Sequence, residues 1–293
     1  MSRQGNGVFL FVLLLIVFLA GCVQPKDSVV CNQPYIRFAA SCCLDRNNDS
    51  VCDNDQGKVI PSNAASCSSL GTDLVAYYKE DNPSAHTDET GRYDAVDEVE
   101  GAVSVPGKIG NAFRYNSLGL KPSDTSNDPR VHAVFPGAHA WPAATVTTWI
   151  RFSPSKYGGI ILGFQESTNY GHRMMFRLDN KTILAYLYNG HDGPGYAAIF
   201  SRVVPDDGWH HYAYEWDVKA KTERLYIDGV LEDTATAATI GSITDNFWWG
   251  SWFNGYGMNG EIDELGVWSR ILSDDEIKKL YADGKGLSYP FCG

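Results

Sequence analysis

The sequence predicts an all-β chain: a two-sheet antiparallel sandwich followed by one short C-terminal helix and preceded by a small cysteine-rich, disulfide-bearing segment. Three observations carry this expectation. With 29 Gly, 16 Tyr, 13 Phe and 8 Trp, the composition suits short strands joined by tight turns and excludes a helical bundle. Residues 145–152 alternate with a period of two: Val146, Thr148, Ile150 and Phe152 share one face, and Thr145, Thr147, Trp149 and Arg151 the other. Hairpin signals recur at Asp179-Asn180 and Asp228-Gly229, where residues tolerant of positive φ separate strand-like runs.

The elements follow in chain order. Residues 8–20 are thirteen consecutive apolar residues behind a short stretch bearing Arg3, too short for a comfortable membrane span and suited to a signal-peptide core. The run closes on Leu19-Ala20-Gly21-Cys22, which resembles the lipobox of prokaryotic lipoproteins. We therefore expect a signal peptide over 1–21, a lipid on Cys22, a tether over 22–30, and a protein held outside the cytoplasm at the membrane or cell surface. An ordinary signal cleaved nearby, or an uncleaved anchor with an incidental Cys, is the alternative.

Without Cys22, six cysteines remain: Cys31, Cys42, Cys43, Cys52, Cys67 and Cys292. An even set in an exported chain reads as up to three disulfides, with fifteen possible pairings. Cys67 and Cys292 flank the large domain and are suspected of stapling its ends. Within the cysteine-rich segment, 31–57, side-chain oxygens of Asp45, Asn47, Asp49 and Asp53 fall at the first, third, fifth and ninth positions of a loop, with the carbonyl of Val51 at the seventh. That is calcium-loop spacing, and it resembles the acidic loops of EF-hands, dockerins and thrombospondin type 3 repeats. Ser50 in place of the turn glycine and Gln56 in place of the bidentate glutamate predict weak binding, at about 10⁻⁴ to 10⁻³ M. A solvated Asn/Asp turn is the competing reading.

A Ser- and Asn-rich linker over 58–71 separates this segment from a domain over 72–291. There, residues 174–178 and 183–188 flank one hairpin turn, while 209–216, 224–227 and 230–231 form a meander. Residues 247–249 and 262–268 add two strands. Ser273-Asp274-Asp275-Glu276 is a capping box; Ile277, Leu280 and Tyr281 supply the apolar stripe of a helix that Gly284 is expected to stop.

Formal charge is −11, and no Lys/Arg run occurs. A nucleic-acid binder needs a basic stripe to displace phosphate counterions, so that class is set aside; the acidity suits cations and neutral ligands.

Six blocks in order then carry a family resemblance: Gly107-Lys108-Ile109-Gly110-Asn111-Ala112, Val146-Thr147-Thr148-Trp149-Ile150, Gly208-Trp209-His210-His211-Tyr212-Ala213, Leu225-Tyr226-Ile227-Asp228-Gly229, Gly260-Glu261-Ile262-Asp263-Glu264 and Ile271-Leu272-Ser273-Asp274-Asp275-Glu276-Ile277. They resemble the laminin G-like, concanavalin A-type jelly rolls. The resemblance implies two curved antiparallel sheets of about a dozen strands, often with a structural calcium, and glycan or protein recognition at surfaces. Asp263 is its metal candidate, a late-strand aspartate that would join backbone carbonyls.

Jelly-roll glycosidases carry E-x-D-x-E on one strand. Here Leu265 stands where the third carboxylate belongs after Glu261 and Asp263, so the chain is expected not to be an enzyme. His210 and His211 point to opposite faces of a strand and are expected to be packed and hydrogen-bonded rather than a metal pair. Ligand binding is expected at Trp252, Phe253, Asn254 and Tyr256, in a Gly-punctuated loop, joined by Asn189 and Asp192. Aromatic faces suit sugar C–H surfaces while Asn and Asp take hydroxyls. Alternation requires one of Trp248 and Trp249 to be core. The expected function is non-catalytic carbohydrate binding by a surface protein, with a structural or adhesive module for protein partners as the alternative and a glycoside hydrolase as the third reading.

Overall fold

A computed structural model of the chain describes the backbone of residues 35–38, 41–44, 69–116, 128–153, 159–164, 173–179, 182–188, 196–203, 206–236, 243–251 and 257–291. Two compact units divide it, Met1–Ser62 and Asn63–Gly293. In the first, β1 (Tyr35–Phe38) and β2 (Ser41–Leu44) form an antiparallel hairpin that pairs Ile36 with Cys43 and Arg37 with Cys42. Cys22, Cys31, Cys52, Cys67 and Cys292, and the loop residues Asp45, Asn47, Asp49, Val51 and Asp53, lie outside the described residues.

The second unit is two antiparallel sheets, as expected for an all-β sandwich. Its strands are β3 (Leu74–Tyr78), β4 (Val96–Val99), β5 (Val103–Pro106), β6 (Asn111–Asn116), β7 (Arg130–Val134), β8 (Ala143–Phe152), β9 (Gly159–Phe164) and β10 (Arg173–Asp179). They continue as β11 (Thr182–Tyr188), β12 (Tyr196–Val203), β13 (Trp209–Asp217), β14 (Thr222–Ile227), β15 (Val230–Thr236), β16 (Asn246–Trp249) and β17 (Asn259–Trp268). One sheet runs β12-β11-β10-β9-β16-β7-β4; the other runs β15-β14-β13-β8-β17-β6-β5, with β3 beside β6 on the same flank of β17. The jelly-roll crossing is visible at β16 and β17, consecutive strands that enter different sheets.

The alternation read in β8 holds. Val146, Ile150 and Phe152 enter the core between the sheets with Tyr212, Tyr214, Trp216, Phe247 and Trp249, each large side chain contributing about 1.5–3 kcal/mol of burial. On the opposite face Thr145, Thr147 and Trp149 are also buried, which explains the bulk of Trp149, while Arg151 is part-exposed. A second apolar cluster joins Leu70, Leu74, Tyr77, Tyr226 and Trp268 to the C-terminal segment through Leu272, Ile277, Leu280 and Phe291. The helix α1 (Asp274–Tyr281) thus plates the outer face of the eight-stranded sheet.

Its capping box forms as read: the Ser273 hydroxyl accepts from the Glu276 N–H while the Glu276 carboxylate accepts from the Ser273 N–H at 2.8 Å. The helix ends at Tyr281, three residues before Gly284, because Ala282 (φ 48°) already takes the left-handed conformation. Among the described residues no helix is long and apolar enough to cross a membrane.

Candidate functional site

The connection between β16 and β17 leaves one sheet and enters the other, and its two stems converge on Asp128. The Ser251 hydroxyl donates to the Asp128 carbonyl at 3.3 Å, the Gly257 N–H donates to Asp128 Oδ2 at 3.1 Å, and the Met258 N–H closes onto the Gly250 carbonyl at 2.8 Å. Two glycines make this approach possible. Gly250 sits at φ 89°, and a Cβ there would strike the Tyr115 ring and come within 2.8 Å of the Pro129 carbonyl. A Cβ on Gly257 would lie 2.7 Å from the Asp128 carboxyl. The expected ligand residues Trp252, Phe253, Asn254 and Tyr256 lie outside the described residues, as do Asn189 and Asp192.

Of the paired tryptophans, Trp249 is the core residue, fully buried, and Trp248 takes the outer face of the seven-stranded sheet. There its indole stacks on His132 at 4.4 Å and 8°, and its N–H donates to Glu98 at 2.6 Å. Glu98 also receives Arg130 at 3.1 Å, and Asn246 meets His132 at 3.1 Å. Val96 and Val134 stand exposed beside this group, at 60% and 45%. Sequence reading missed the cluster because it depends on the β4–β7–β16 register, which pairs Trp248 with His132 and His132 with Val96.

On β17 a bulge decides which acids face where. Asp263 pairs with Trp149 but Gly266 with Thr147, so one extra residue is accommodated, and Glu264 sits at φ 51°. Leu265 therefore turns into the core, while Glu261, Asp263 and Glu264 are buried on other partners. Asp263 Oδ2 accepts the N–H groups of Lys108 and Ile109 at 2.7 and 2.9 Å; a Cβ on Gly107 would come within 2.6 Å of it. This is the physical content of the Gly107-Lys108-Ile109 block. Burial, with Glu264 and Asp81 nearby, pushes the Asp263 carboxyl up to about 9 against the pull of those two N–H groups.

Asp263 Oδ1 is buried without a hydrogen-bond partner, as is Glu264 Oε1. One orphaned hard oxygen fits a single calcium ligand. Among the described residues no group of three or more His, Cys, Asp or Glu side chains is arranged to hold a metal. Glu264 Oε2 accepts the Tyr77 hydroxyl at 2.6 Å, and burial raises its carboxyl to about 7.

Glu261 differs from its neighbours. Burial alone would raise its pKa, but hydrogen bonds from Arg151 and Arg114 outweigh that and hold it below the usual carboxylate range. A group so held stays ionised and is a poor general acid. The histidines separate as alternation requires. His210 meets Asp228 at 2.7 Å and Asp206 at 3.1 Å; His211 is buried against Trp149, its ring pushed down to about 3 by burial alone.

A family model described as the concanavalin A-like lectin/glucanases superfamily, laminin G type, matches residues 132–278. This chain belongs to that family. Sequence relatives include the sushi, von Willebrand factor type A, EGF and pentraxin domain-containing protein 1 of Rattus norvegicus, 27% identical over 129 residues, and its Mus musculus counterpart at 28%. Each match covers 38% of this chain and 4% of the relative. Among solved structures, the binding domain of botulinum neurotoxin DC in complex with SialylT superposes with TM-score 0.57 at 14% identity, over 73% of this chain and 52% of the other. The same neurotoxin domain in complex with rat synaptotagmin II gives 0.55 at 15%, over 72% and 51%. The chain thus spans about half the length of these neighbours, and the likeness is one of fold.

Proposed function

We propose that this chain is a non-catalytic recognition module that binds carbohydrate through the β16–β17 connection. The observation that carries the reading is the Asp128-tied stem: it holds both ends of a five-residue stretch containing Trp252, Phe253, Asn254 and Tyr256, limiting the ordering cost of presenting aromatic and amide groups to a sugar. Family membership supports it, and so does the state of Glu261, paired by two arginines where a hydrolase needs a protonated acid. The test is a glycan array followed by titration calorimetry. Wild type should bind a glycan that Trp252→Ala binds at least ten-fold more weakly, with no release of reducing sugar. Binding only to protein ligands would replace this reading with the adhesive one.

The setting proposed for the module is the cell surface, with residues 1–21 as export signal and Cys22 as lipid anchor. Support comes from the apolar run and the Cys that closes it. Cys22→Ala should move the protein from the membrane fraction to the soluble one. Calcium is proposed at the 45–53 loop and on Asp263, where the orphaned Oδ1 supports it; a melting temperature indifferent to chelator and to millimolar calcium would remove both.

A further inference from the structure

One transverse row of side chains crosses the eight-stranded sheet near the end of β17 from which the β16–β17 connection leaves. Backbone register aligns Arg114 on β6 with Glu261 on β17, Glu261 with Arg151 on β8, and Arg151 with Trp209 on β13. Glu261 is buried and serves both arginines. Arg114 donates to its Oε1 through Nε at 2.9 Å and Nη2 at 2.7 Å, and Arg151 Nε meets its Oε2. On its other side the Arg151 guanidinium lies over the Trp209 ring, 5.2 Å from the centroid.

The two cations nevertheless remain accessible, with side chains 45% and 37% exposed. A guanidinium carries five N–H donors. Glu261 Oε1 accepts two from Arg114, Arg151 is in ion-pair contact with Oε2, and among the described residues neither guanidinium donates to another acceptor. Two positive charges face one buried negative charge, so the row keeps a surplus cation on a chain of net charge −11. Asp206, in the turn ahead of Trp209, is occupied by the Gly208 N–H at 2.6 Å and by His210. Two strand spacings separate the arginines, about 10 Å between backbones, a span that long side chains converging on one carboxylate close readily.

We propose that Arg114 and Arg151 form a subsite for the carboxylate of an acidic sugar, with Glu261 and Trp209 as positioning residues that hold the two guanidiniums in place. The proposal rests on the carbohydrate reading above and names the ligand class. Planar guanidiniums match a carboxylate in a way a lysine pair does not, and fixing them beforehand lowers the entropy lost on binding. A single surplus charge suits one sugar acid in an otherwise neutral chain, while the overall acidity of the protein disfavours a dense polyanion.

The test uses the full chain and a neutral xylo-oligosaccharide bearing one glucuronic acid, as the free acid and as its methyl ester, in titration calorimetry. The acid should bind at least ten-fold tighter than the ester, and 0.5 M NaCl should erase most of the difference. Arg114→Ala with Arg151→Ala should abolish the preference. Arg151→Lys, which keeps the charge and the fold but not the fork, should lose most of it. Trp209→Ala, which leaves every charge in place but removes the ring under the Arg151 guanidinium, should weaken binding of the acid several-fold and leave that of the ester unchanged; a purely structural contact gives no such acid-selective loss. No binding of the acid, or equal binding of acid and ester, overturns the subsite. If neutral glycans then still bind in a Trp252-dependent way, only this inference fails; if none binds, the carbohydrate reading falls with it.

Discussion

Gly250 shows how much a single backbone position decides. Its φ of 89° and the Tyr115 ring against its α-carbon leave no room for a side chain, so Gly250→Ala should cost about 2 kcal/mol or more through strain and overlap. A thermal melt checks this. The buried Glu223 offers a second test at this scale. It accepts the Tyr214 hydroxyl at 2.6 Å and has its other oxygen unpaired; burial, outweighing that bond, lifts its carboxyl to about 7. Because the folded state holds this proton more tightly than the unfolded one, the stability it confers is complete below about pH 4.5 and is lost as pH rises through 7. The loss is on the order of 3 kcal/mol. Glu223→Gln keeps an acceptor for Tyr214 and should flatten that part of the stability–pH curve in urea titrations; an unchanged slope would refute the assignment.

At the scale of elements, α1 is the clearest case of local sequence deciding local structure. Ser273 and Glu276 cap it reciprocally, and Arg270 braces Glu276 through two contacts of 2.8 Å. Ser273→Ala should cost about 1 kcal/mol, read as a lowered unfolding midpoint. The strands were legible where they alternate or meet a marked turn: β8, β13, β14 and the Asp228-Gly229 hairpin, whose residues take φ 52° and 76°. β3 was not, because Leu74–Tyr78 is buried at every position and shows no alternation. β4 was not either, since Val96–Val99 is largely exposed. The β17 bulge was invisible for another reason: an extra residue changes the facing of everything after it, and nothing in Asp263-Glu264-Leu265 announces it.

For the whole molecule, two-sheet architecture and its single helix followed from composition, periodicity and the ordered blocks. What sequence left unread were the cross-strand partnerships. Trp248 with His132, Glu98 with Arg130, and Glu261 with two arginines join residues 32 to 147 positions apart; they exist only once register is set. The expected sugar-contacting residues occupy a connection of which only the stems, Ser251 and Gly257 on Asp128, are described.

The large unit brings its two ends to one place. Trp268 donates to the Leu70 carbonyl at 2.7 Å, Arg270 reaches the carbonyls of Ser69 and Thr72, and β3 lies along β17. A mechanical load arriving through residue 69 must therefore unzip the β3–β17 ladder and extract those arginine contacts before it can deform the rest of the sandwich. Were the upstream segment to act as the proposed tether, a pull from that side would load these β3–β17 contacts first.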